Sequence, residues 1–335
     1  MRVIGGGPAG TTAAIAARRE GATVQLFEKA RFPRHKVCGE FLSPDAALIF
    51  EKLGLLPAFL DLKPLAVRTA NVVIGRSAKR WTLREPAFGI SRFALDAFLA
   101  EQACAAGVEI RRETATDLTG PVVIASGRHK SARSGQRHFG FKAHFRGPVT
   151  DSIDLFFDRG MYVGINGIET GESNVCGLAS QDMLQRFAFQ PDALMAAMPA
   201  LAERLRPLTR TMDWLITGPL VYGGDFESAT ADDVYTAGDA LGFVDPFTGS
   251  GMLGAIATGY LAGRACAQGI PAWQHRSACR QVLLGQYRAA SLFRKLVAWG
   301  IAEKLSWALP GNTLFELTRP AISRIFESPG QLLGG

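Results

Sequence analysis

Arg2-Val3-Ile4-Gly5-Gly6-Gly7-Pro8-Ala9-Gly10, followed by Thr23-Val24-Gln25-Leu26-Phe27-Glu28, is the stretch whose reading decides the fold. Val3 and Ile4 are β-branched and read as a short buried strand. Gly5, Gly7 and Gly10 then spell G-x-G-x-x-G, and an Ala-rich helical run continues from Thr11 to Arg19. A second strand, Thr23 to Phe27, ends on Glu28. Each part has a mechanical reason. Gly5 permits the tight turn, Gly7 lets the backbone approach a pyrophosphate, and Gly10 lets the helix lie close on the sheet. Free N–H groups and roughly half a positive charge at the helix start face the phosphates. Glu28 sits where a carboxylate accepts from the ribose hydroxyls of an adenosine. Glycines at this spacing are a weak signal alone. Here strand, turn, helix, second strand and terminal acid follow in order within about thirty residues, which predicts dinucleotide binding. The fingerprint by itself does not separate NAD from FAD.

The whole chain bounds the rest. Its 335 residues exceed the single-core limit of roughly 250–300, so two closely packed domains are expected. A hydrophobic content of 47% with 20% charge is that of a globular chain. No apolar run of about 18 residues is present, so no transmembrane helix is expected. The chain opens directly on the nucleotide-binding strand, which argues against a signal peptide and for a cytoplasmic protein. The five cysteines, Cys38, Cys104, Cys176, Cys266 and Cys279, are scattered, odd in number and without metal spacing, as expected of free thiols. The net charge of +7 is dispersed and no nucleic-acid motif accompanies it. Anionic cofactors or a membrane surface explain it as well.

Along the chain, Lys29 to Leu42 is a charged loop, and Ser43-Pro44 opens a helix closed by Gly54. Val67–Ile74 and Lys79–Leu83 read as strands joined at Gly75-Arg76. Ser91 caps an amphipathic helix, Arg92 to Ala106, ahead of a strand at Val108–Arg112. Pro121 to Ser126 reads as another buried parallel strand. From 139 to 180 four strands follow in a row (Phe141–Arg146, Ile153–Phe157, Tyr162–Ile165, Val175–Leu178), which predicts an antiparallel sheet in a separate layer. Helices are expected at 181–188, 192–205 and Ser250–Ala267, with a helical amphipathic tail from Trp273 to Leu309. The expected fold class is α/β (α+β overall): a Rossmann-type FAD-binding domain with an antiparallel β-sheet substrate domain and C-terminal helices. The expected division is a discontinuous cofactor domain of 1–66, 88–138 and 229–270, a substrate domain of 67–87 and 139–228, and a helical segment of 271–335.

Asp233-Val-Tyr-Thr-Ala-Gly-Asp-Ala-Leu-Gly-Phe-Val-Asp-Pro-Phe-Thr-Gly-Ser-Gly-Met252 is the most specific stretch. Its strand delivers Gly238 close to a backbone-sized object and presents Asp239 to a polyol. The loop Asp245 to Gly251 starts a helix whose dipole can face a flat ring. A reduced flavin carries negative charge near N1 and the C2 carbonyl, which a helix N-terminus stabilises. NAD has no ribityl chain to explain this second site, so FAD is the expected cofactor.

G-G-G-P-A-G at the start, R-F-P-R-H-K-V-C-G-E at 31–40, S-R-F-A-L-D at 91–96 and G-D-A-L-G-F-V-D-P-F-T-G-S-G at 238–251 resemble one FAD-dependent oxidoreductase superfamily. It groups p-hydroxybenzoate hydroxylase-like monooxygenases, flavin-dependent halogenases and geranylgeranyl reductases. The resemblance covers residues 1–112 and 233–265. It implies a cofactor-binding set of Gly5, Gly7, Pro8, Ala9, Gly10, Glu28, Lys29, Arg34, Cys38, Gly39, Arg92, Gly238, Asp239, Pro246, Gly249, Ser250, Gly251 and Met252. In it Arg92 serves the diphosphate or ribose side, Asp239 the ribityl hydroxyls, and Pro246 to Gly251 the isoalloxazine. Lys36-Val-Cys-Gly-Glu40 is similar to the geranylgeranyl reductase branch, where it lies beside the flavin. There are departures. The Gly-x-Asp-Gly of the hydroxylase branch reads Ile124-Ala-Ser-Gly127 here, with Ser126 in place of the acid, which weakens the expectation of NAD(P)H as electron donor. The halogenase W-x-W-x-I-P is absent, and the reductases' Y-x-W-x-F-P is reduced to Tyr162-Val-Gly-Ile-Asn-Gly167.

Flavin-proximal candidates for catalysis are Cys38, Pro246 and Gly249. Cys38 is an active-site thiol or a small buried hydrophobe. His35 is a proton donor or a solvated neighbour of Arg31, Arg34 and Lys36. Substrate-side candidates are His144, Tyr162, Asn166 and Trp214; for His144 the alternative is a satisfied core histidine, and for Trp214 and Tyr162 it is core or pocket wall. The tail's Phe293, Leu296, Val297, Trp299, Ile301, Leu305 and Trp307 either pack on the body or touch a membrane peripherally. No metal site and no nucleophile triad are read. The flavin would carry the chemistry, in two modes. One is hydroxylation of an aromatic or polyketide-like small molecule with O2 and NAD(P)H; this is the preferred reading. The other is hydride transfer to a carbon–carbon double bond of a prenyl or lipid substrate. A non-catalytic FAD carrier or redox sensor is the third class. Oligomeric state is not legible.

Overall fold

The computed structural model describes residues 1–115, 119–128, 137–158, 161–220, 223–224, 232–243, 249–298, 320, 322 and 325–326. The chain opens with β1 (Arg2–Ile4), α1 (Pro8–Arg19) and β2 (Gln25–Phe27), then β3 (Phe41–Leu42), α2 (Ala46–Lys52) and α3 (Leu56–Asp61). Two longer strands follow, β4 (Leu65–Ile74) and β5 (Ser77–Gly89), then α4 (Arg92–Ala105), β6 (Glu109–Arg111) and β7 (Val122–Ile124). The consecutive strands are β8 (His138–Arg146), β9 (Ser152–Asp158), β10 (Met161–Gly167) and β11 (Ser173–Ser180). Three short helices come next, α5 (Gln181–Arg186), α6 (Pro191–Ala196) and α7 (Pro199–Leu205). After β12 (Thr209–Arg210), β13 (Leu215–Leu220) and β14 (Gly223–Gly224), the chain returns through β15 (Val234–Thr236) and β16 (Gly242–Phe243) to α8 (Gly251–Gln268) and α9 (Ala272–Ala298).

Five strands form a parallel sheet in the order β15-β7-β1-β2-β6. Its strands are three residues each, and β1, β2, β7 and β15 bury their central residues under the helices. Helix α1 packs on α8 so closely that a Cβ on Gly259 would overlap the Ala9 carbonyl, and one on Gly263 that of Ala13. Small residues on both helices make this approach a matter of backbone against backbone.

The second sheet runs β12-β8-β11-β10-β9-β4-β5-β3, with β13 also on β8. It is antiparallel except where β4 lies parallel to β9, a pairing made through the crossover from the first layer. Phe41–Leu42 belongs to this sheet, paired with β5. One helix expected across 192–205 is two, because Pro199 has no N–H to continue α6 and Met198 is extended (φ −104°, ψ 104°). Phe139, Phe141, Ala143 and Phe145 of β8 face the short helices. By the period of two, His138, Gly140, Lys142 and His144 face the first layer. Phe293 of α9 stacks edge-on against Phe157 of β9 at 5.2 Å between centroids, so this part of the tail packs on the body. Trp299, Ile301, Leu305 and Trp307 lie outside the described residues. Among the described residues no helix is long and apolar enough to cross a membrane.

Candidate active site

The glycine turn behaves as its spacing demands. Gly5 takes φ +102°, where a Cβ would strike Ala125 and Ser126, and a Cβ on Gly10 would overlap the Gly5 carbonyl. Gly7 is different: the nearest atom to a Cβ there is Nη2 of Arg92, at 3.8 Å. Gly7 is also the N-cap of α1, with Pro8 at the start and no side chain capping the helix. The backbone therefore leaves an open cradle beside a guanidinium. Arg92 is held by two bonds to Asp96, 2.6 and 2.8 Å, and despite its burial this pairing raises its pKa further. Partial burial and the Arg34 and Arg92 charges push the Lys36 ammonium down, so three cations converge on this corner.

Glu28 accepts from the Gly6 N–H at 2.8 Å, the Ala30 N–H at 2.8 Å, and both Arg34 terminal nitrogens at 2.9 Å. Burial alone would raise its pKa, but Arg34 and the two N–H groups bring it to about 2. Both carboxylate oxygens are thus already engaged within the protein, two of their bonds coming from Arg34. Lys29 is exposed.

At the other anchor, Gly238 takes φ +60°, and a Cβ there would stand 2.9 Å from that of Ala9. Its N–H donates to Thr258 Oγ1 at 2.9 Å, which fixes the turn on α8. Asp239 has no hydrogen-bonding partner among the described residues. Asp239 is exposed, yet protein close around its carboxyl raises its pKa, against the pull of Arg128 and Arg92. Ser250 caps α8 without a side-chain bond to it, Gly251 has nothing within 4 Å of a Cβ, and Met252 is buried. Gly249 rests against Phe41. Pro246 lies outside the described residues. An open glycine cradle, clustered cations, an unpartnered carboxylate and a second uncapped helix start fit a dinucleotide with a polyol linker, as FAD has.

Between the two layers runs the Lys36–Glu40 segment. Gly39 faces open space, and Val37 seats on Gly140, where a Cβ would be 3.1 Å away. The Cys38 thiol is pushed up by burial, and its carbonyl accepts from Asn174 Nδ2 at 3.2 Å. Glu40, at φ +51°, is completely buried. Its carboxylate accepts from the Arg92 N–H at 2.7 Å, binds Lys142 Nζ, and lies 2.7 Å from His144 Nε2. Its carbonyl accepts from Asn166 Nδ2 at 3.2 Å. Burial would raise the Glu40 pKa, but His144 and Lys142 hold it below the ordinary carboxylate value. The hairpin turn adds a second tie: Glu169 accepts from the N–H of Ser91, at 2.7 Å, and from its hydroxyl.

The structure thus brings Cys38, Gly39, Arg92, His144 and Asn166 together. Tyr162 shares their sheet face but stacks with Phe157, 5.8 Å between centroids, under α9. Trp214 does not join them. It packs on Phe141 and Phe145 and donates to Asp192 at 3.0 Å on the opposite face of the sheet, because the strand it precedes pairs with β8 from the far edge. Glu40 and Lys142 escaped the sequence reading as site residues. The available signal was Lys142 standing between Gly140 and His144 on the polar face of a strand whose other face is phenylalanine.

A family model described as FAD dependent oxidoreductase matches residues 2–33. Among curated proteins, digeranylgeranylglycerophospholipid reductase of Methanosarcina mazei is 25% identical over 312 residues, covering 81% of this chain and 75% of its own length. Conditioned medium factor receptor 1 of Dictyostelium discoideum is 25% identical over 329 residues; the alignment covers 80% of this chain and 63% of that protein. Among solved structures, the flavin-dependent brominase Bmp2 superposes with a TM-score of 0.77 at 21% identity, covering 95% of this chain and 92% of the brominase, a likeness of fold.

Proposed function

We propose, from the premise that the chain belongs to the FAD-dependent oxidoreductase superfamily, that this enzyme reduces a carbon–carbon double bond in an apolar, prenyl-like substrate. One observation carries the reading. The Lys36–Glu40 segment, which resembles the reductase branch, is fastened on one side to Arg92 at the cofactor cradle and on the other to β8, β10 and β11. A double-bond reduction needs a hydride on one carbon and a proton on the other. FAD, when bound, supplies the hydride chemistry. The protein's part is placement and proton supply. Arg92 and the α1 start would hold the diphosphate, Asp239 the ribityl chain, and the α8 start the ring. Cys38, kept protonated by burial, and Lys142 are the proton-bearing groups at the boundary between the layers. Val72, Leu155 and Phe157, with Phe293 of α9, give this sheet face an apolar stretch next to the polar one.

The test is anaerobic turnover of photoreduced holoprotein with a short polyprenyl lipid, followed by mass spectrometry. A gain of two hydrogen atoms per double bond supports the reductase. Rapid reoxidation by air with an oxygenated product would instead favour the hydroxylase, and NAD(P)H oxidation in the same assay reports the donor.

A further inference from the structure

Four ionisable side chains run in a line through Glu40, the last residue of the Lys36–Glu40 segment. Glu172, on the turn between β10 and β11, keeps 23% of its side chain exposed, and its Oε2 is 4.0 Å from His144 Nδ1. The other ring nitrogen, Nε2, is 2.7 Å from Glu40 Oε2. Glu40 Oε1 meets Lys142 Nζ, and both of these side chains are without solvent exposure. An ammonium has three donors, and Lys142 spends one, on Glu40, among the described residues. On the same sheet face, the carbonyl oxygens of Asn166 and Asn174 are buried without a partner. Asn174 is in register with both His144 and Asn166, so these side chains sit about 4.5–5.5 Å apart at Cβ. Spare donors and spare acceptors on one sheet face are what a chain of bound water, or a polar reacting group, would fill. Stability does not explain such a set, since an apolar replacement of a buried ion pair is commonly as stable.

We propose that Glu172, His144, Glu40 and Lys142 form a proton relay from solvent to the flavin-facing side of the substrate sheet, an inference that rests on the FAD reading above. A proton from water binds Glu172 and passes to His144 Nδ1, directly or over one bridging water. His144 releases its Nε2 proton to Glu40 Oε2. Glu40 then turns and carries that same proton, on Oε2, to Lys142, which has given one up toward the reaction. One proton enters, one leaves, and no electrons move along the line. The other ionisable groups facing it are His35, whose ring is 5.3 Å from that of His144, with Cys38, Cys176 and Arg92. Burial and the Lys142 and His144 charges lower the His35 pKa against the pull of Glu40 and Glu172, and burial raises that of both thiols.

The experiment is a pH jump on full-length, FAD-loaded protein reduced beforehand by light under nitrogen, with the absorbance of the reduced flavin reporting proton arrival. It reads neither turnover nor substrate. Glu172→Gln, at the surface, is expected to slow the signal about tenfold, and His144→Ala about 100-fold with partial rescue by added imidazole. FAD content should be that of the parent in both. If Glu172→Gln retains FAD and matches the parent rate, the relay is overturned, whether or not His144→Ala folds. A parent protein that takes up no flavin overturns the cofactor reading instead.

Discussion

Replacing Lys142 with Met tests whether the buried cluster is an ion pair in the energetic sense. Both Lys142 and Glu40 are fully enclosed. Removing the ammonium leaves a buried carboxylate with His144 and the Arg92 N–H alone. Breaking a buried pair in this way costs about 3–5 kcal/mol, most of it the uncompensated charge that remains. Glu40→Gln in the same chain removes that charge, so the double variant should recover part of the loss, with a coupling of roughly 0.5–3 kcal/mol. At about 2–4 °C per kcal/mol for chains of 150–250 residues, Lys142→Met should melt about 6–20 °C below its parent, somewhat less in a longer chain. Differential scanning calorimetry on the FAD-free protein, checked by urea titration, measures all four corners of the cycle. A Lys142→Met protein that melts with its parent, or a double variant worse than the sum of the singles, would refute the reasoning.

Asp239→Ala removes an expected charged acceptor for the ribityl chain and should weaken FAD binding by about 10–100-fold; a variant that purifies fully yellow would remove that role. Glu28 falls from an ordinary 4.5 to about 2 in the folded protein. A lowered carboxylate stabilises above its unfolded pKa, and the gain, about 3 kcal/mol, drains as pH drops from about 5 toward 2. Urea midpoints measured between those limits should fall more steeply for the parent than for Glu28→Gln; parallel slopes would contradict the Arg34 pairing. Gly259→Val places a Cβ on the Ala9 carbonyl and should cost about 1–3 kcal/mol or more while loosening FAD retention. Unchanged stability and flavin content would mean that α1 and α8 have slack.

The first layer was legible because its signals are local. Gly5, Gly10 and Gly238 each mark a turn or close approach that a side chain would block, Gly7 marks the open cradle beside Arg92, and Glu28 ends its strand where the pattern puts it. The second layer was legible as strands but not as pairings. Nothing in Leu65–Ile74 says that its neighbour will be the parallel Ser152–Asp158, since register and direction are settled by the crossover. Pro199 was a readable break, overridden by apolar periodicity on both sides. The Glu40 cluster was hidden by the usual rule that a polar strand face meets water; here β8 has both faces covered, so its Lys and His answer to a carboxylate from a distant loop.

The contact of α1 with α8 sets a timetable for synthesis. About 230 residues separate Arg19 from Gly251, which at 5–20 residues per second is roughly 10–50 s of ribosome time. Throughout that interval the small-residue flank of the first helix has no companion, and the strands beneath it, β2, β7 and finally β15, arrive one after another. A nascent chain of this design therefore waits for α8 before the nucleotide cradle can close, and a holdase that shields Ala9 to Ala17 would have its whole task in that window.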